Sequence, residues 1–227
     1  MNVEKLIMET ELWQAAIKMP DRHYDKSEGI SLADHLMATA KNLRFILKTQ
    51  RSLYCQSLQN FLRIIHLTEV EEILIPVSLL HDIGKVEEDK TKKIAHPFTG
   101  KLEAARHPLI AFIAANQFLP SELRFRSPIL ALIEEHDTPY AWYRQYQKAG
   151  QIPKKSAWHK LDAKIEPKAD GTGLLLLCIF KLVDIDGHQD MSDAQWFIRH
   201  ANEMCLAEKG KQMLIPSRDD LTHISEN

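Results

Sequence analysis

The chain has 227 residues, 44% of them hydrophobic, and a formal charge of -2. That length supplies one sizeable core and is short for two, and the near-neutral charge excludes a wholly basic nucleic-acid binder while leaving room for a local basic surface. Cys55, Cys178 and Cys205 are too few and too scattered for a disulfide framework and suit a reducing compartment. Glu4, Glu9 and Glu11 interrupt the N-terminus, so no signal peptide is read there. The most apolar run, Leu174 to Leu177, is broken by Lys181 and Asp184, far short of the roughly 20 residues that span a bilayer. The expectation is one domain over residues 1–227, cytoplasmic and without a membrane partner.

Residues 4–19 carry Leu6, Leu12, Trp13, Ala16 and Ile17 at roughly helical spacing before Pro20, which predicts one amphipathic helix. A polar connection with His23, Tyr24 and Gly29 follows. Ser31 reads as the N-cap of a helix whose apolar face is Leu32, Leu36, Thr39, Leu43 and Ile46, with His35 beside it. Residues 53–67 predict another helix, with Leu58, Phe61, Leu62 and Ile65 inward. From about Thr68, Val70, Ile73, Leu74, Val77 and Leu80 mark a helix that Pro76 should kink and that leads into His81-Asp82. Gly84 can take the left-handed conformation that stops a helix.

Val86 to Lys93 reads as a charged loop, followed by His96-Pro97-Phe98. Proline suits the first turn of a helix, so Pro108 predicts a helix beginning at His107, with Leu109, Phe112 and Ile113 inward. Ser127-Pro128 repeats that signal, and the stripe Ile129, Leu132, Ile133 ends in His136. From Tyr140 to Asp170 the periodicity breaks down, with seven Lys or Arg against three Asp or Glu and with Tyr140, Trp142, Tyr143, Tyr146 and Trp158 among them. This region reads equally as a basic-aromatic lid, where bases stack on rings and phosphates meet cations, or as a solvated loop with its aromatics on the core. Gly171 and Gly173 restart regular structure, a helix follows with Leu174, Leu177, Lys181, Asp184 and His188 on one side, and residues 192–207 form the last. Period-two alternation is scarce and no strand-turn-strand signal is read, so the fold class expected is all-α.

Six polar residues sit on or beside apolar helical faces: His35, His81, Asp82, His107, His136 and Asp184. One histidine on an apolar stripe is more often a hydrogen-bonded core residue than a ligand, but an ordered set of this kind points to metal. Imidazole and carboxylate together suit Mn, Fe, Co, Ni or Zn, whereas Mg favours an all-carboxylate set. Two ions about 3.5–4 Å apart can share a water and lower its pKa from about 15.7 toward about 7, and Asp82 is the natural bridge. Lys85, just past it, can stabilise charge on phosphoryl oxygens, or it can cap a helix C-terminus for about 0.3–1 kcal/mol. His96 is the replacement should His107 or His136 fail, and Asp137 and Asp186 stand behind Asp184 or support the histidines.

The order His, His-Asp, His, His, Asp, with the stretch Leu79-Leu80-His81-Asp82-Ile83-Gly84-Lys85, resembles the HD superfamily of metal-dependent phosphohydrolases. The likeness spans about residues 30–190 and looks most like the HD domain of bacterial tRNA nucleotidyltransferases, where an aspartate also precedes a glycine by three residues, as in Asp184-Ile185-Asp186-Gly187. The resemblance implies an HD-domain helical bundle with a metal site in its core. It implies one or two divalent ions (Mn, Fe, Co, Ni, Zn or Mg), one held by His35, His81, Asp82 and Asp184, the other by His107 and His136 with bridging Asp82. The implied reaction is hydrolysis of a phosphate ester of a nucleotide or nucleic-acid end by a metal-bound hydroxide, with Asp82 and Lys85 catalytic. Lys85, Arg106, Tyr140, Arg144, Lys154, Lys155 and His159 are the candidates for contacting that phosphorylated substrate. A nuclease gripping single strands with residues 140–168 and a non-catalytic nucleotide-sensing module are the alternatives.

Overall fold

The computed structural model describes residues 2–21, 29–48, 67–184, 191–213 and 215. The helix expected at 53–67 falls almost wholly outside them, as do Cys55, His23, Tyr24, Asp186 and His188. Among the described residues the protein is mostly helical, with one two-stranded sheet. No helix among them is long and apolar enough to cross a membrane.

The N-terminal segment forms two helices where one was expected, α1 (Val3–Met8) and α2 (Glu11–Lys18). Thr10 makes the break: its hydroxyl accepts the Trp13 N–H at 3.2 Å and so starts a second helix. Helix α3 (Leu32–Lys48) opens on a capping box in which the Ser31 N–H donates to Asp34 Oδ2 at 2.8 Å and the Asp34 N–H to Ser31 Oγ at 3.1 Å. The Ser31 hydroxyl, which also donates to Asp34 Oδ2 at 2.7 Å, and the Ser31 N–H hold the Asp34 carboxyl below its ordinary pKa. Helix α4 (Leu67–Leu80) contains Pro76 and packs along α3, and its last turn delivers His81 and Asp82 into the core.

After Asp82 the chain tightens into a 3-10 turn, Ile83–Val86. The charged segment expected to be a loop is in part strand β1 (Asp89–Ala95), paired antiparallel with β2 (Leu102–Ala105). Its lysines and threonine are exposed, so no buried face imposes an apolar alternation that a reader of the sequence could see. Helix α5 (His107–Phe118) begins where Pro108 places it, and α6 (Arg126–Glu135) begins at Ser127-Pro128 and ends with His136 as its C-cap. The region 140–170, read as a lid or a loop because its periodicity breaks down, is regular structure. It folds as α7 (Thr138–Ala149) and α8 (Lys155–Ile165), separated by Gly150 in the left-handed conformation.

Helix α9 (Thr172–Val183) is buried along its whole length and packs against α3, α4, α8 and α10 (Ser192–Ala201), so the Leu174 to Leu177 run is core. Its N-terminus is held by Asp162 of α8, a fully buried carboxylate that accepts the Gly171 N–H at 2.7 Å and the Leu174 N–H at 3.0 Å and meets Lys209 Nζ at 2.9 Å. A Cβ at Gly173 would stand 2.5 Å from the Asp162 carbonyl oxygen, so only glycine lets the two helices come this close.

Candidate metal centre

Five elements converge on one wall of the core. α3 brings His35 and the end of α4 brings His81 and Asp82, while α5, α6 and α9 contribute their termini: His107, His136 and Asp184. The six expected ligands are thus brought together, and they sort into two groups whose ligand atoms could each hold an ion: His35, His81 and Asp184, and Asp82, His107 and His136. In the first, Asp184 Oδ1 lies 3.5 Å from His35 Nε2 and 3.0 Å from His81 Nε2. In the second, Asp82 Oδ1 lies 3.2 Å from His107 Nε2 and 3.4 Å from His136 Nε2. The other Asp82 oxygen faces back, 3.5 Å from His81 Nε2 and 3.8 Å from His35 Nε2. One carboxylate therefore presents one oxygen to each group.

The orientation of the rings tests whether a cation fits. His81 Nδ1 stands 3.0 Å from the Ser78 carbonyl and His136 Nδ1 2.7 Å from the Ile133 carbonyl. A carbonyl only accepts, so each neutral ring carries its proton on Nδ1 and turns an Nε2 lone pair into the site. Glu88 makes the same arrangement for His107, receiving its backbone N–H and facing its Nδ1, both at 3.2 Å. Asp21 Oδ2 lies 3.7 Å from His35 Nδ1. The result is His107 Nε2 and His136 Nε2 only 3.2 Å apart and a buried His81 Nε2 that finds no hydrogen-bond partner among the described residues. Lone pairs aimed at one another and at carboxylate oxygens repel unless positive charge lies between them, which is the condition of a metal site.

Electrostatics agrees. Burial works against ionisation of Asp82 and Asp184, yet the His81 imidazole and their other neighbours hold both carboxyls well below the usual range. Burial also opposes charge on His35 and His136, but Asp184 and Asp82 respectively outweigh it and raise them, while burial prevails at His81 and lowers it. Lys85, also buried, is held above its ordinary value by Asp82, whose Oδ2 is 2.5 Å from its Nζ. The carboxylates thus attract whatever cation is within reach.

Gly84 has a different role from the one expected. It does not take the left-handed conformation. Instead the 3-10 turn lies directly against the start of α5, and a Cβ at Gly84 would sit 2.2 Å from the His107 carbonyl oxygen and 2.7 Å from Ala111 N. This backbone contact sets Asp82 beside His107. Gly84→Ala should lower stability by about 1–3 kcal/mol, the usual cost of overpacking, because backbone and not a flexible side chain must give way. A denaturant midpoint equal to that of the unmodified protein would show that the turn can move aside.

A cavity of about 580 Å³ opens over both groups. Of the expected substrate contacts, Lys85, Tyr140 and Arg144 line it, joined by Tyr143 and Gln147 on the same face of α7. The remaining four do not. Arg106 is exposed at the N-cap of α5 and Lys154 is exposed at the N-cap of α8. Lys155 pairs with Glu208, and His159 Nε2 meets the same carboxylate at 2.9 Å, because α8 packs on the segment after α10 and not on the cavity. Cys205 lies 3.7 Å from His159 Nδ1, so a third group, His159, Cys205 and Glu208, could also hold an ion. There the sulfur and carboxylate meet opposite nitrogens of one ring, an arrangement that suits a relay better than a chelate.

Trp158 is buried in the core and the partly buried Trp142 packs against it, with ring centroids 4.7 Å apart. His96 is bound to Glu134 at 3.1 Å and stacked on Phe112, so it does not replace either histidine. Arg124 and Arg126 are tied to Glu69 and Asn116. Asp137 does reach the centre, 3.3 Å from His107 Nε2. Glu88 and Asp193, which the sequence did not single out, line the cavity as well. Glu88 was hidden by position: it is one charge among several between Val86 and Lys93, with no apolar stripe to mark it. Comparison of the chain with family models, with curated proteins and with solved structures returns no match.

Proposed function

We propose that the protein is a metal-dependent phosphohydrolase built as an HD-type helical bundle, acting on a phosphate ester of a nucleotide or nucleic-acid end. The observation that carries this reading is Asp82 itself, with one oxygen turned to each of two histidine groups at the floor of a cavity. His35, His81 and Asp184 would hold one divalent ion, His107 and His136 a second, and Asp82 both. Such ions supply Lewis-acid activation of water and neutralise charge at phosphorus. The protein's own groups do the rest. Carbonyl and carboxylate partners on the outer ring nitrogens keep the histidines as lone-pair donors, Lys85, paired with Asp82 Oδ2 at 2.5 Å, would turn from it to a phosphoryl oxygen, and Tyr140 and Arg144 wall the space where the rest of the ester fits.

The test joins turnover to ion content. Purified protein loaded with Mn should hydrolyse bis(p-nitrophenyl) phosphate and carry two ions per chain. His107→Ala should lower the count from two to one, since the His35 group keeps its ligands. A protein that takes up no ion and turns over neither diester nor monoester with Mn, Fe, Co, Ni, Zn or Mg would sink the reading.

A further inference from the structure

Lys181 is the one charged residue of α9, a helix otherwise given to the core. Its side chain is 11% exposed and lines the cavity, on the Asp184 side, as Lys85 does beside Asp82. Lys181 Nζ is 3.2 Å from Asp193 Oδ2 and 3.6 Å from Asp184 Oδ2. Asp193 is fixed in turn, its Oδ1 accepting the Ala194 N–H at 2.8 Å. Among the described residues only the Asp193 contact is near hydrogen-bond length, and an ammonium has three donors, so this contact leaves donor capacity for the cavity.

A buried ion pair is a poor source of stability, since an apolar residue of similar volume packs without desolvating two charges. A lysine in the middle of this apolar helix, braced by Asp193 and opening on the cavity, fits ligand chemistry better. We propose that Lys181 is an anion-contacting residue of the cavity, reaching a phosphoryl oxygen from the Asp184 side while Lys85 reaches one from the Asp82 side. The inference rests on the reading that the two groups hold ions and that the cavity receives a phosphate ester. It makes Asp193 a positioning residue, which spares Lys181 the cost of ordering a long side chain on binding.

The sign of the effect separates this role from a structural one. Removing a positive charge weakens an anion's binding and leaves a cation's unharmed, whereas loss of a prop for Asp184 weakens the cation's. The experiment is calorimetric titration of the ion-loaded 227-residue chain with inorganic phosphate, alongside ion content per chain. Lys181→Met should bind phosphate at least about tenfold more weakly while retaining two ions, and Lys181→Arg should recover most of the affinity. Because the single change leaves Asp193 buried without its partner, the double variant Lys181→Met/Asp193→Asn, which removes both charges, provides the same readout in a protein with less reason to misfold. Unchanged phosphate affinity in a folded variant carrying two ions would overturn the proposal. Loss of an ion from Lys181→Met would overturn it too, since Lys181 would then act through Asp184. Failure of the unmodified protein to take up ions would instead remove the reading underneath.

Discussion

Asp82→Ala should abolish metal-dependent hydrolysis, with a loss on the order of 10³-fold or more in rate, while the protein stays folded. The magnitude follows from where the residue stands. Its two oxygens serve both ligand groups, so the change takes a ligand from each half and the link between them in one step. Lewis-acid stabilisation is worth several kcal/mol at the transition state, and each 1.36 kcal/mol or so is a factor of about ten. Folding should tolerate the change better than activity does, because the clustered imidazoles and Asp184 remain and Lys85, freed from Asp82, lines an open cavity. Turnover of bis(p-nitrophenyl) phosphate and ion content of the variant check this. A variant with normal turnover would mean that the two groups do not act together.

Asp162→Ala should have the largest effect on stability, about 3–5 kcal/mol, with little direct effect on the site. Asp162 is fully buried, and its removal leaves the Gly171 and Leu174 N–H groups without an acceptor and the Lys209 ammonium without its carboxylate. Unsatisfied buried donors and a broken buried ion pair are among the few single changes this costly. The N-terminus of α9 is what the carboxylate holds, and α9 is the helix around which α3, α4, α8 and α10 pack. Urea unfolding should show a lower midpoint at unchanged slope. A midpoint within measurement error of the unmodified protein would mean that water or another side chain replaces the carboxylate.

The centre was more legible in the sequence than the walls of its cavity. His35, His81, His107, His136 and Asp184 each stand on or at the end of an apolar stripe, so periodicity alone turns them inward, and Asp82 follows from its neighbour. Proline in the first turn fixed the starts of two of those helices at His107 and near Ser127. Asp162 escaped notice because its partners are backbone groups nine and twelve residues on, which no local pattern encodes. Glu88 and Asp193 escaped for a related reason: each serves the site through a residue distant in sequence. The region 140–170 misled because its helices bury only one narrow side, and their exposed Lys, Arg and Tyr dilute the periodicity. Its basic character spread the expected substrate contacts over both helices, whereas only one face of α7 meets the cavity. The β-hairpin was invisible because it buries almost nothing.

On the proposed reading, the contact of Gly84 with the first turn of α5 would also limit which ions the second group accepts. Main chain touches main chain there, so the distance between Asp82 and His107 is a property of the scaffold and not of adjustable side chains. An ion in the second group must match a gap that packed helices hold nearly constant. Zn and its first-row neighbours bind nitrogen and oxygen at about 2.0–2.2 Å, whereas Ca asks for about 2.3–2.6 Å and more oxygen ligands than this wall provides. On the proposed reading the turn would sort ions by radius before any chemistry begins, with the small residue at position 84 as the gauge.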